Sequence, residues 1–246
     1  MGIGYHLLSD EGSRVIREVG VYDNELAKHA GEFGLPVRPA HVGIAFPTIF
    51  MLDALGRVVE RRTDDNYRLR ESAPRLLRRL ALDGTGTPSA EARPTTADGI
   101  AVEVADGPLR VRVALDGSTY FPYQRRDVWI DLSLAEGWHV YGRRAPEGTA
   151  ALNVTLSSQP DGVRVESVQW PPAATLVVAG DPVPAEVYSG SVRLVVPVSF
   201  VVDSGWHGWG DIVLSVAVDF QTCNATQCLP PSRLVAELRI PEAAVP

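Results

Sequence analysis

From residue 100 onward, apolar and polar side chains alternate in short runs, the signature of strands with one face in a core. Ile100, Val102 and Val104 mark the first strand; Leu109, Val111, Val113 and Leu115 the second; Val128, Ile130, Leu132 and Leu134 the third. Leu152, Val154 and Leu156, then Val163, Val165 and Val168, then Val192, Leu194, Val196, Val198 and Phe200 continue the series. Ile212, Leu214, Val216, Val218 and Phe220 form the next strand, and Leu234, Ala236, Leu238 and Ile240 the last. Asp116-Gly117, Glu136-Gly137, Pro160-Asp161-Gly162 and Ser204-Gly205 separate the runs with turn-forming chemistry. Short alternating strands at this spacing predict an all-β sandwich over residues 99–246. At about 0.8 kcal/mol per buried methylene, its core lets the domain stand alone.

Residues 1–82 show a different pattern. Leu7-Leu8 ends a short apolar run, and Ser9 or Asp10 caps a helix whose face is Val15, Ile16 and Val19 and which Gly20 stops. Residues 23–41, with Gly31, Gly34, Pro36 and Pro39, read as loop. Thr48-Ile49-Phe50-Met51-Leu52 is nearly all apolar, as in a strand covered on both faces. Asp53-Ala54-Leu55-Gly56 turns it and Arg57-Val58-Val59-Glu60-Arg61 returns. A last helix starts near Pro74, with Leu76, Leu77 and Leu80 on one side and Arg75, Arg78 and Arg79 on the other. Residues 83–98, rich in Gly, Thr, Pro, Ala and Ser without a large apolar side chain, form a linker spanning roughly 22 Å as flexible coil. The overall class is α+β.

Composition narrows the function. A net charge of −7 argues against a nucleic-acid partner. No apolar run approaches the roughly 18 residues of a membrane span. The first residues lack the basic and apolar regions of a secretory leader, which places the chain in the cytoplasm if Met1 is the true start. No phosphate loop, Gly-x-Ser-x-Gly elbow or His-Glu-x-x-His motif is present, which removes the commoner enzyme classes. The reading calls for no cofactor and no metal.

The chemistry concentrates in Cys223 and Cys228, the two cysteines of 246 residues. They lie between the last two alternating runs and so face each other across the mouth of a hairpin. Directly opposed residues of an antiparallel pair have Cα atoms roughly 4.5 to 5.5 Å apart, within the window a disulfide tolerates. Three readings are open. The pair is a reversible thiol couple; or a staple, giving about 2 kcal/mol for so short a loop; or half of a zinc site completed by His139 or His207. Asp219 and Gln221 flank it on the strand, and a carboxylate beside Cys223 raises the thiol pKa.

The run Val218-Asp219-Phe220-Gln221-Thr222-Cys223 followed by Cys228-Leu229-Pro230-Pro231 resembles the N-terminal periplasmic domain of the thiol:disulfide interchange protein DsbD. Gly137-Trp138-His139-Val140-Tyr141, Gln169-Trp170-Pro171-Pro172-Ala173 and Glu186-Val187-Tyr188-Ser189-Gly190 agree in order and spacing. The resemblance covers about residues 98–242. It implies an immunoglobulin-like sandwich whose cysteine pair passes electrons to thioredoxin-like or peroxiredoxin-like proteins, with Cys228 attacking and Cys223 resolving. It also implies a periplasmic location. Tyr141 and His139 resemble the aromatic pair near the family's cysteines, where a ring shields the disulfide and a polar group tunes the thiol. Residues 181–188 correspond to the family's mobile cap. They carry Val183 between two stiffening prolines and lack the aromatic residue that closes the cap.

Leu7-Leu8-Ser9-Asp10, with Arg14, Val15, Ile16 and Gly20, then Gly43-Ile44-Ala45-Phe46-Pro47-Thr48-Ile49-Phe50-Met51-Leu52-Asp53 and Gly56-Arg57-Val58, resemble the C-terminal half of an AhpC/TSA peroxiredoxin, a thioredoxin-like fold. The resemblance implies a cis bond before Pro47. That family's nucleophilic cysteine precedes the matched stretch, and residues 1–222 hold none. Residues 1–82 are therefore expected to be a partial thioredoxin-like α/β region, unable to act as a peroxidase without a thiolate. The competing class for the whole chain is a non-catalytic binding or assembly domain with a structural disulfide.

Overall fold

The computed structural model describes residues 10–32, 36–64, 66–72, 75–76, 99–177, 184–201 and 210–244. The chain divides into two compact units, Met1–Arg70 and Glu71–Pro246.

In the first unit the Asp10 carboxylate accepts the N–H groups of Val15 and Ile16 at 2.9 and 3.0 Å, which caps α1 (Arg14–Glu18) as expected. The stretch read as loop contains a second helix, α2 (Leu26–Glu32). Asp23 starts it by accepting the Glu25 N–H at 2.7 Å. The buried Asp23 carboxylate also takes the Tyr67 hydroxyl and His29 Nδ1. Strands β1 (Thr48–Leu52) and β2 (Val58–Thr63) form an antiparallel hairpin. Contrary to the sequence reading, β1 is not covered on both faces, because Phe50 and Leu52 are exposed. Among the described residues this sheet has two strands, and the larger thioredoxin-like arrangement is not shown. Pro47 enters β1 through a trans bond, and the cis bond among the described residues is Gln159–Pro160. The Pro47 carbonyl simply closes the hairpin by accepting the Asp64 N–H at 2.9 Å, a role the default trans isomer fills. A two-residue strand, β3 (Arg70–Glu71), falls where the units divide.

The second unit is all antiparallel β. Arg75, expected on a polar helix face, is buried in an ion-pair cluster with Glu71 at 3.1 Å and Asp127 at 3.0 Å. The rest of that helix and the linker lie outside the described residues. One sheet runs β4 (Ala101–Asp106), β5 (Leu109–Leu115), β6 (Gln124–Leu134), β12 (Ser191–Phe200), β9 (Val163–Val165) in spatial order. A second runs β15 (Ser232–Ile240), β13 (Ile212–Phe220), β8 (Asn153–Gln159). Their inward residues form one apolar cluster: Val111, Val113, Ile130, Leu132, Leu194 and Val196 from the first meet Val154, Leu214, Val216, Ala236 and Leu238 from the second. Each fully buried Val, Leu or Ile side chain stabilises by about 1.5 to 3 kcal/mol. Because side-chain direction alternates along a strand, the register follows from this burial: Leu214 opposes Leu238 and Val216 opposes Ala236.

A third, smaller sheet orders β10 (Ala174–Leu176), β11 (Ala185–Ser189), β7 (His139–Tyr141) and β14 (Thr222–Cys223). Gly137, at φ 80°, makes the left-handed turn that leads from β6 into β7. At Gly142 a Cβ would sit 2.9 Å from Glu186 Cβ, so glycine lets β7 and β11 close up there. Its N–H donates to the Glu186 carbonyl at 2.7 Å.

Candidate functional site

The chain crosses from the large core into the small sheet at Phe220 and Gln221. Phe220 is buried in the main apolar cluster opposite Ser232, so it anchors the end of β13. Gln221 then uses both ends of its buried amide. Its Oε1 accepts the Ala150 N–H and its Nε2 donates to the Leu229 carbonyl, both at 2.9 Å. Beyond this clamp, Thr222 pairs with Val140 and Cys223 with His139.

Cys223 and Cys228 are bonded, with S–S at 2.00 Å and Cα atoms 4.0 Å apart, closer than the hairpin expectation. The four residues between them close their own turn. Asn224 N–H donates to the Gln227 carbonyl at 2.9 Å, and Asn224 Oδ1 accepts from Thr226 N, Thr226 Oγ1 and Gln227 N. This is the side-chain mimicry of a backbone turn that asparagine favours. Leu229 N–H returns to the Thr222 carbonyl at 2.9 Å, so the strands flanking the pair are held without help from the sulfurs.

The two cysteines differ in access. Cys223 is 1% exposed and packs in an apolar cluster with Tyr141, Ala185 and Val187, with Ala145 at its margin. Cys228 is exposed. Cys228 is therefore the accessible end of the disulfide and Cys223 the covered end.

Cross-strand register extends the row. Ser189 of β11 opposes His139 of β7, His139 opposes Cys223 of β14, and Cys223 opposes Cys228. Directly opposed residues share a sheet face, so the imidazole and the inner sulfur lie on the same side. The His139 ring meets the Tyr141 ring edge-on at 5.2 Å. Burial lowers the His139 pKa below its ordinary value. Its Nε2 is buried with no hydrogen-bond partner among the described residues.

Of the residues singled out from sequence, Tyr141, His139 and Gln221 thus gather around the pair. Asp219 is held elsewhere: it faces Arg233 at 3.5 Å and Asn153 Nδ2 at 3.5 Å on the neighbouring strands of the second sheet. Val183, Ser204-Gly205 and His207 lie outside the described residues. Ala185, Val187 and Asn224 complete the site without having been singled out. Asn224 had a signal in its turn propensity; Val187 had none beyond its place in a motif, and Ala185 none beyond its place in the stretch matched to the family's cap.

Comparison with known proteins agrees in part with the sequence. A family model described as thiol:disulfide interchange protein DsbD, N-terminal, matches residues 108–240. Among solved structures, the chain is similar to the N-terminal periplasmic domain of ScsB from Proteus mirabilis, at 19% identity and a TM-score of 0.40. That alignment covers 55% of this chain and 49% of the other, so it spans about half of the ScsB domain's length. It is also similar to the GAE domain of yeast GGA1, at 12% identity and a TM-score of 0.32, over 57% of this chain and 98% of that one. No curated protein sequence matches.

Proposed function

The chain belongs, through residues 108–240, to the family of the DsbD N-terminal domain, and on that premise we propose that it is a thiol-disulfide exchange module working through Cys223 and Cys228. The observation that carries the proposal is one disulfide with an exposed and a buried end. In the reduced module the Cys228 thiolate attacks one sulfur of a partner's disulfide. A mixed disulfide forms at Cys228 and the partner's other sulfur leaves as thiolate. Cys223 then attacks Cys228 Sγ, the internal disulfide closes, and the partner's second thiolate departs carrying the electron pair. Two electrons have moved to the partner.

The burial of Cys223 supports its role as the resolving sulfur, because a folded partner cannot reach it before Cys228 has reacted. Tyr141 covers it, and Gln221 holds the hairpin so that the sulfurs stay opposed in both redox states. Thioredoxin-like or peroxiredoxin-like proteins are the proposed partners. Residues 1–82, with their resemblance to the C-terminal half of a peroxiredoxin, are proposed as part of such a region, one that holds no cysteine of its own to act as a peroxidatic thiolate.

A redox titration of the pair in graded thiol buffers tests the proposal. Exchange requires a midpoint in the range of cellular thiol couples; a midpoint below about −300 mV marks a structural staple and supports the binding-module reading instead.

A further inference from the structure

A buried polar atom without a hydrogen-bond partner is uncommon enough in a native fold to call for a reason. In the small sheet that atom is His139 Nε2. His139 stands one strand from Cys223, in register with it and on the same face, and its ring orientation is fixed against Tyr141. On the strand beside Cys223, away from Cys228, the residue in register is therefore a histidine whose Nε2 has no hydrogen-bond partner among the described residues.

Resting on the exchange reading above, we infer that His139 is the base that takes the proton of the Cys223 thiol when that sulfur closes the disulfide. In the mixed-disulfide state Cys223 is a buried thiol, and burial disfavours its thiolate. As its S–H proton passes to His139 Nε2, the sulfur attacks Cys228 Sγ. The Cys223–Cys228 bond forms, the bond from Cys228 to the partner breaks, and the partner's sulfur leaves with the electron pair. The imidazolium releases its proton to solvent through the cavity of about 410 Å³ that His139 lines with Glu136, Trp138 and Leu176.

Few charges complicate this role. β14 presents Cys223, His139's own strand presents Tyr141, and the turn before it presents Glu136. The lining residues Val187 and Ser189 of β11 and the adjoining Gly190 are uncharged, and Glu186 of β11 is bound to Arg144 at 3.0 Å. The lowered basicity of His139 keeps it unprotonated, and so able to accept, at neutral pH.

The test mixes the fully reduced chain with excess dithiobis-nitrobenzoate and follows chromophore release. The first phase reports Cys228 attack and the second reports closure by Cys223, with mass spectrometry confirming an adduct-free product. In the unsubstituted protein the second phase is expected to level off below pH 6.5. His139→Phe is expected to slow it at least tenfold, on the order of what a positioned base contributes. The first phase should stay within about twofold, and the variant's second phase should climb with pH toward the thiol range near about 8.5. His139→Gln provides the same comparison if the Phe variant does not fold. Equal second phases and equal pH profiles in variant and parent would overturn the assignment while leaving exchange intact. A parent protein that stops at the mixed disulfide overturns exchange itself, and the base with it.

Discussion

The Gln221 side chain donates to the Leu229 carbonyl at 2.9 Å and accepts from the Ala150 N–H at 2.9 Å, joining the residue after the second cysteine to a loop that lies 71 positions before Gln221 itself. A buried amide that satisfies two backbone groups at once fixes where the hairpin sits on the small sheet. Gln221→Ala removes both bonds and leaves a part-buried N–H and C=O to find new partners. At about 0.5 to 1.5 kcal/mol per net hydrogen bond, the loss is expected to be about 1 to 3 kcal/mol, read as a lower urea midpoint.

Reducing the disulfide should weaken the sandwich without unfolding it. The closed loop is short, so the crosslink contributes about 2 kcal/mol, whereas β13 and β15 pair along nine residues each over a shared core. Urea unfolding of the oxidised and reduced protein is expected to differ by that amount with an unchanged slope. Complete unfolding on reduction would show that the bond is a staple.

The lowered pKa of His139 makes stability depend on pH with a definite sign. The cause is burial, and a group whose folded pKa lies below its unfolded value of about 6.5 binds its proton more readily in the unfolded chain. Its contribution is full above pH 6.5 and is lost as pH falls from there through the folded value. His139→Phe is therefore expected to flatten the decline in urea midpoint on that side of neutrality.

In the first unit, the buried Asp23 carboxylate is held below its usual pKa. Burial opposes its ionisation, but hydrogen bonds from Tyr67, His29 and the Glu25 N–H outweigh that cost. Its stabilising contribution is present above about pH 4 and lost as pH falls further. Tyr67→Phe should reduce the stability of this unit by about 1.5 to 3 kcal/mol, as for a hydrogen bond to a charged group. Acid titration of the Tyr67→Phe protein by circular dichroism should show the transition beginning at higher pH.

The long strands were legible because each presents one face to the core for at least seven residues. β5, β12, β13 and β15 show this, and their alternation placed the sandwich core. The sheet that carries the chemistry was not legible as strands. β7 and β10 have three residues each, β14 has two, and β11 buries Ala185, Val187 and Tyr188 in close succession, so no period of two can be read. The cysteines stood out as the one pair in the chain. Their unequal exposure did not, since it is imposed by Tyr141, Ala185 and Val187, dozens of positions upstream. Helix α2 was hidden by its length of seven residues, and Arg75 by partners that only tertiary structure brings near.

Trapping tests the central claim most directly. Reduced Cys223→Ser and Cys228→Ser chains are each mixed with an oxidised thioredoxin-like protein, and the products are weighed by intact-mass spectrometry. The account predicts a covalent one-to-one adduct with Cys223→Ser, joined through Cys228, and none with Cys228→Ser. Adducts from neither chain, or from the Cys228→Ser chain alone, would contradict it.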